Sequence, residues 1–381
     1  MICRVLCLFL LILALSIVPA AAEEAPKSSL YVKKVENLPD HFIFGMDVSS
    51  LIAEEDSGVI YRDFEGNEAD VLQVLRDSGI THIRVRVWND PYDAQGHGYG
   101  GGNCDIETAA AIGRRAAAYG MKLIVDFHYS DFWADPGKQM APKAWEGMGI
   151  EEKTEAVYRY TVSCLEKLRE NGADVGIVQI GNETNGALCG EKRWFDIQYL
   201  MQAGARAVRE VCPEALVALH FTDPENAGNY MTYAAKMDYY RVDYDVFATS
   251  YYPYWHGSLE NLADVLTRVH DTYGKKVMVM ETSYAYTPED SDFFGNTVGE
   301  GSAVVKDYPF TVQGQANSIR NITDTLVNRV PEGIGVVYWE GAWIAAGTSS
   351  WEENHALWET YGSGWASSYA SEYDPADAGK Y

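Results

Sequence analysis

The stretch Ile83-Arg84-Val85-Arg86-Val87-Trp88-Asn89 decides the fold. Successive side chains of a strand point to opposite faces, so Ile83, Val85 and Val87 share one face while Arg84, Arg86 and Trp88 share the other. Helices can cover the aliphatic face. The arginine face needs instead an interior that supplies acidic partners. The centre of a closed barrel, with carboxylates on neighbouring strand ends, is such an interior.

Outward from this stretch the chain alternates strands with helices. The strand candidates are Phe42–Ser49, His82–Trp88, Lys122–His128, Val175–Glu183, Ala215–Phe221, Tyr244–Tyr252, Val277–Ser283 and Ile334–Glu340. Between them Ile106–Tyr119, Lys153–Glu170, Phe195–Val211, Leu259–Tyr273 and Val312–Asn328 carry apolar residues three or four apart, the helical period. Several of these end in glycine, at Tyr119-Gly120, Asn171-Gly172 and Tyr273-Gly274, as helices commonly do. Strand–helix units without a linker between them predict one (β/α)8 barrel over residues 41–381. A doubly wound open sheet produces the same alternation but needs a glycine-rich dinucleotide loop. Gly98-Tyr99-Gly100-Gly101-Gly102 follows no strand directly and reads as a flexible loop.

The chain has 381 residues, 47% hydrophobic and 22% charged, enough for a large core and unlike a disordered or coiled-coil protein. A net charge of −25 repels phosphate backbones and anionic membranes, which argues against nucleic-acid or membrane partners. Twenty-six Tyr and ten Trp exceed the needs of a core and suit a surface for flat ligands such as sugar rings. Met1 to Ala22 reads as a signal peptide: Arg4, an apolar run from Val5 to Val18, then Ala20-Ala21-Ala22 before Glu23. Residues 23–40 form a loose N-terminal segment, and the protein is expected in the periplasm or outside the cell, as a monomer. Cys104, Cys164, Cys189 and Cys212 remain after cleavage, and two disulfides among them are expected in an oxidising compartment.

In a barrel the chemistry collects at the C-terminal ends of the strands. Those ends carry Asp47, Arg86, Trp88, Asp126, His128, Asn182-Glu183, Tyr251-Tyr252, Glu281 and Trp339-Glu340. Glu183 and Glu281 each follow an apolar run, at the ends of the fourth and seventh strands, which lie on opposite sides of the barrel. Their tips can therefore face each other across its mouth. Two carboxylates about 5 Å apart are what a retaining glycosidase needs, one to protonate the leaving oxygen and one to attack the anomeric carbon. Taken singly, a strand-end glutamate is more often a salt-bridge partner and His128 a structural histidine; the combination is what points to chemistry.

This set resembles the clan of retaining (β/α)8 glycosidases, and its local strings resemble glycoside hydrolase family 53, the endo-β-1,4-galactanases that cut arabinogalactan. The strings are Gly45-Met46-Asp47-Val48-Ser49, Arg84-Val85-Arg86-Val87-Trp88-Asn89-Asp90-Pro91 and Asp126-Phe127-His128-Tyr129-Ser130-Asp131-Phe132-Trp133-Ala134-Asp135-Pro136. They continue with Gln179-Ile180-Gly181-Asn182-Glu183, Tyr251-Tyr252-Pro253-Tyr254-Trp255, Glu281-Thr282-Ser283-Tyr284 and Tyr338-Trp339-Glu340-Gly341-Ala342-Trp343. The resemblance implies Glu183 as acid/base, Asn182 on the sugar 2-hydroxyl, and Glu281 as the nucleophile oriented by Arg86 and Tyr252. It further implies Asp47 and His128 lining the cleft, Trp339 under the sugar ring, and Trp88, Trp133, Trp255 and Trp343 as candidates for neighbouring subsites, each with core packing as its plain alternative.

After the seventh strand, Asp290, Asp292 and Asn296 offer alternating oxygen ligands of the kind Ca²⁺ takes, without the full EF-hand pattern. Bacterial members of the family are similar here and hold a structural calcium, though they commonly carry His where Phe294 stands. The expected protein is thus a secreted, retaining endo-galactanase acting on β-1,4-galactan or type I arabinogalactan, with a structural calcium and no organic cofactor. A clan relative acting on mannan or xylan and a non-catalytic galactan-binding barrel are the alternatives, and paired acids argue against the second.

Overall fold

The computed structural model describes residues 30–289, 297–299 and 301–344. Two compact units divide the chain, Met1–Tyr31 and Val32–Tyr381. All but Leu30 and Tyr31 of the first lies outside the described residues. In the second unit, eight parallel strands close into a barrel in chain order. They are β1 (Ile43–Asp47), β2 (His82–Val87), β3 (Lys122–Phe127), β4 (Val175–Ile180), β5 (Leu216–Phe221), β6 (Val246–Ser250), β7 (Lys276–Thr282) and β8 (Gly333–Tyr338). The helices around them are α1 (Leu51–Asp56), α2 (Val71–Asp77), α3 (Ile106–Ala118), α4 (Ile150–Glu170), α5 (Trp194–Val211), α6 (Ala227–Tyr239), α7 (Leu259–Tyr273) and α8 (Val312–Arg329). The expected barrel is the observed one. The open-sheet alternative falls because β8 pairs with β1 along Ile43↔Gly335 to Met46↔Tyr338.

The expected helix ends are present for the expected reason: Gly120, Gly172 and Gly274 take positive φ, where other residues meet steric cost. Asp70, Asp105, Ser258 and Thr311 cap the starts of α2, α3, α7 and α8 with their side chains. Strands are shorter than their apolar runs. The fourth leaves the ladder after Ile180, where Gly181 turns at φ 81° and Glu183 at φ 45°. That turn aims Asn182 and Glu183 into the barrel mouth instead of along the sheet.

Two apolar cores share the strands. Outward-facing Ile83, Val85, Val87, Leu123, Val125, Phe127, Val217 and Leu219 pack under the helices. Inward-facing Ile43, Ile124, Ile177, Ala218, Val246, Ala248, Met278, Met280 and Val337 plug the barrel floor. The next inward positions toward the C-terminal ends are polar: Asp47, Arg84, Asp126, Gln179, His220 and Ser250, all buried. The site rests on this polar layer.

Cys104, Cys164, Cys189 and Cys212 are free and buried, so the expected pair of disulfides is absent among the described residues. Each thiol is used as a small apolar filler. Cys104 turns its Sγ to the carbonyls of Ser49 and Gly101, Cys164 is packed inside α4, and burial pushes the Cys104, Cys164 and Cys189 thiols up to about 12.

Candidate active site

Arg84 is the hub of the polar layer. Its Nη1 donates to Asp47 Oδ2 at 2.9 Å, and its Nη2 lies 2.9 Å from Asp126 Oδ2 and 2.8 Å from Glu281 Oε1. The same Nη2 reaches Gln179 Oε1 at 3.1 Å and Asn182 Oδ1 at 3.2 Å. Nη2 has two hydrogens for the four oxygens around it, so these contacts are shared, and the positive charge rather than four separate hydrogen bonds gathers them at one buried point. Burial alone would push the Asp126 carboxyl up, but Arg84 and His128 hold it below the ordinary carboxylate range.

Glu281 reaches the interior through an irregularity. Met278 and Met280 face inward on β7, so strict alternation would send Glu281 outward. Between β6 and β7, however, Thr249 pairs with Val279 and Ser250 with Glu281, and the skipped Met280 makes a bulge. The bulge turns Glu281 toward Arg84, and Tyr252 OH donates to its Oε2 at 3.2 Å. Arg86, expected to orient the nucleophile, does not. Its guanidinium pairs with Glu340, donates to the Gly101 carbonyl at 2.8 Å and lies 4.1 Å from the Trp133 ring centre. Both arginines face inward, but only Arg84 is deep enough to meet Glu281, and Arg86 instead supports an aromatic wall.

Glu183 is held from the same strand. Ser250 Oγ lies 2.5 Å from Glu183 Oε1, and Ser250 sits beside Glu281 in the β6–β7 register. The two carboxylates therefore flank the end of β6, Ser250 touching one and Tyr252 the other. They do not face each other from diametrically opposite strands: β4 and β7 lie three strands apart, with β5 and β6 between. Burial, then the Glu281 charge, pushes the Glu183 carboxyl up to about 8. Burial also pushes Glu281 up, and Arg84 pulls it back. The environments thus separate a protonated carboxyl from a paired carboxylate.

A cleft of about 1050 Å³ opens over this floor. Asp47, Arg86, His128, Trp133, Asn182, Tyr252, Trp339 and Trp343 all line it, as do Glu183 and Glu281. Trp339 stands 6.4 Å from Trp133 and 5.6 Å from Trp343, ring centre to ring centre. Trp255 is 46% exposed at the rim, an aromatic face left to solvent. Trp88 is different. It is wholly buried, and its Nε1–H donates to His128 Nδ1 at 3.1 Å, so it supports the cleft from beneath and cannot stack on a ligand. His128 Nδ1 also accepts from the Ala134 N–H at 3.0 Å, which places the ring proton on Nε2, against Asp126. Asn182 Nδ2 donates one hydrogen to the Ala134 carbonyl at 2.9 Å, and Asn182 itself lines the cleft. The predicted calcium ligands Asp290, Asp292 and Asn296 lie outside the described residues.

Sequence reasoning missed Arg84 as the partner of Glu281, and it missed His220 and Ser250. The signal for both was parity: Ala218/His220 and Ala248/Ser250 occupy inward positions on β5 and β6.

Asp223, Glu225 and His256 offer ligand atoms within 4.8 Å of one another. His256 Nδ1 accepts from the Tyr252 N–H at 3.0 Å, so its proton sits on Nε2, the nitrogen that faces Asp223. A proton on the only available nitrogen disfavours a metal there.

The family described as "Glycosyl hydrolase family 53" matches residues 43–375. An endo-beta-1,4-galactanase of Bacillus subtilis (strain 168) is 53% identical over 359 residues, 94% of this chain and 83% of that one. An arabinogalactan endo-beta-1,4-galactanase of Cellvibrio japonicus (strain Ueda107) is 35% identical over 81% of this chain and 82% of its own length. Among solved structures, a GH53 catalytic domain of Ignisphaera aggregans superposes with a TM-score of 0.79 at 37% identity, covering 84% of this chain and 91% of that one.

Proposed function

The chain belongs to glycosyl hydrolase family 53 and is an endo-acting glycoside hydrolase of β-1,4-galactan, and we propose that it cleaves with retention through Glu183 and Glu281. The observation that carries this reading is the meeting of a half-buried carboxyl, Glu183, and a buried one, Glu281, at the end of β6 in different electrostatic settings. Glu183, pushed up to about 8 by burial and by Glu281, is the group that holds a proton at neutral pH. It donates that proton to the glycosidic oxygen as the bond to the anomeric carbon breaks. Glu281, paired with Arg84 and Tyr252, attacks that carbon and forms a galactosyl-enzyme. Water then loses a proton to Glu183 and its oxygen displaces Glu281. Trp339 is the proposed platform for the C–H-rich face of galactose, with Trp133, Trp343 and Trp255 proposed for neighbouring subsites and Asn182 proposed to donate its second amide hydrogen to the 2-hydroxyl.

The acidic loop bearing Asp290, Asp292 and Asn296 is proposed to hold a structural Ca²⁺, whose preference for carboxylate and amide oxygens it matches. Met1 to Ala22 is proposed as a leader that exports the enzyme, acting as a monomer, to galactan outside the cytoplasm. Among the described residues no helix is long and apolar enough to cross a membrane.

Product analysis on linear β-1,4-galactan, mannan and xylan tests the assignment, with Glu183→Gln as control. Short galacto-oligosaccharides from the wild type alone are expected, with the configuration at the new reducing end unchanged. Inverted product would remove the covalent step, and galactan binding without cleavage would make the barrel a binding protein.

A further inference from the structure

His220 is a histidine that the reaction as described does not use. It is wholly buried on β5, with Nδ1 2.9 Å from Asn182 Oδ1 and Nε2 3.0 Å from Ser250 Oγ. An amide oxygen only accepts, and Asn182 Oδ1 is identified as the oxygen because Arg84 donates to it while Nδ2 donates to the Ala134 carbonyl. Gln179 Nε2 also lies 3.1 Å from His220 Nδ1, but its two hydrogens serve Asp126 Oδ1 at 2.5 Å and the Gly181 carbonyl at 3.1 Å. Two facing lone pairs at 2.9 Å would repel, so His220 Nδ1 carries the ring proton toward Asn182 Oδ1. Arg84 stands nearby, with Asp126 on β3 and His128 just beyond that strand's end; burial, then the Arg84 charge, holds His220 well below the ordinary histidine range and thus neutral. A neutral ring has one N–H. His220 Nε2 is therefore an acceptor, and the proton between it and Ser250 belongs to the Ser250 hydroxyl.

A serine has only one proton to give. With that proton on His220, Ser250 presents a lone pair to Glu183 Oε1, 2.5 Å away, and the hydrogen in that short contact must come from the Glu183 carboxyl. We propose that Ser250 and His220 are positioning residues that set the protonation of the acid/base: the chain Glu183 → Ser250 → His220 is complete only while Glu183 is protonated. When Glu183 gives its proton to the leaving oxygen, the Ser250 hydroxyl must rotate to donate to the new carboxylate. His220 Nε2 then loses its donor inside the barrel, where an unsatisfied polar atom is costly. Taking a proton from the attacking water restores the chain, so the same rotor that favours the acid makes Glu183 a stronger base for the second step. The other groups facing Glu183 are Glu281, Asp135, Thr222, Tyr230 and Tyr252; of these Thr222 hydrogen-bonds the carboxyl and pulls it down, while the contact at His220 Nε2 is Ser250 Oγ.

The inference rests on Glu183 being the acid/base, and kcat/KM on linear β-1,4-galactan against pH tests both separately. The basic limb reports the acid in the free enzyme. Ser250→Ala removes the acceptor and is expected to lower that limb by about one pH unit, leaving the acidic limb in place. Ser250→Thr keeps a hydroxyl and is expected to return the basic limb to its wild-type position. A basic limb that stays put or rises in Ser250→Ala overturns the chain, because a rise means that Ser250 donates to the carboxylate. If Glu183→Gln keeps full turnover, the acid/base reading fails instead. Should Ser250→Ala not fold, the infrared difference between wild type and Glu183→Gln carries the test. A protonated, hydrogen-bond-donating carboxyl band below the basic limb is expected, and a carboxyl band without a hydrogen-bond partner refutes the chain.

Discussion

Arg84→Lys and Arg86→Lys distinguish the hub from the wall. Arg84 joins Asp47, Asp126 and Glu281 at 2.8–2.9 Å through two nitrogens that face different strands. A lysine has one nitrogen on a flexible stem and cannot reach Asp47 and Glu281 together. At least one buried carboxylate is then left without its cation, a loss of about 3–5 kcal/mol. For a barrel of this size roughly 1.5 °C of unfolding temperature corresponds to each kcal/mol, so a fall of about 5 °C or more is expected. The kinetic consequence has a definite sign. Glu281 works as a carboxylate, and Arg84 is the charge that pulls it down against burial. A lysine ammonium drawn to Asp47 and Asp126 leaves Glu281 without its close cation, so the Glu281 pKa rises, by about 1–2 units, and the acidic limb of kcat/KM moves up by the same amount. Arg86→Lys should leave that limb in place and instead raise KM, since Arg86 touches Glu340 and Trp133. Thermal unfolding and pH–rate profiles of the two variants decide. An acidic limb that moves in Arg86→Lys and not in Arg84→Lys would refute the assignment of Arg84 to the nucleophile.

Glu183 is pushed up to about 8 in the folded chain, above the ordinary carboxyl value, so it stabilises the fold most at low pH and that contribution is lost as pH rises toward 8. Glu183→Gln is therefore expected to unfold at the wild-type temperature near pH 4 and at a higher one near pH 8, where it is more stable than wild type by on the order of a few kcal/mol; equal shifts at both pH values would contradict it. Removing Ca²⁺ with a chelator should lower the unfolding temperature if the loop at Asp290, Asp292 and Asn296 holds the ion, and identical melting curves with and without chelator would dismiss the site.

Much of this protein is determined by local pattern. The alternation Ile83-Arg84-Val85-Arg86-Val87, read beside helices that end in glycine, is enough to require a barrel with a polar interior, because an arginine face cannot lie under a helix. Glu183 and Glu281 were legible as well, each a charge following an apolar run at a strand end. What the pattern could not decide was depth and register. Arg84 and Arg86 share one parity, and only the barrel stagger brings Arg84, paired with Ile124, to Glu281 while Arg86, paired with Asp126, rises to the cleft wall. Glu281 itself violates parity, and a one-residue bulge against β6, invisible in the sequence of β7, turns it inward. An even count of cysteines suggested pairing, yet a disulfide needs proximity, and the fold leaves all four thiols unpaired. His220 and Ser250 each look like an ordinary polar residue in an apolar strand. They acquire a role only because closing the barrel brings positions 30 and 67 residues apart into hydrogen-bond contact, a juxtaposition that no local preference encodes.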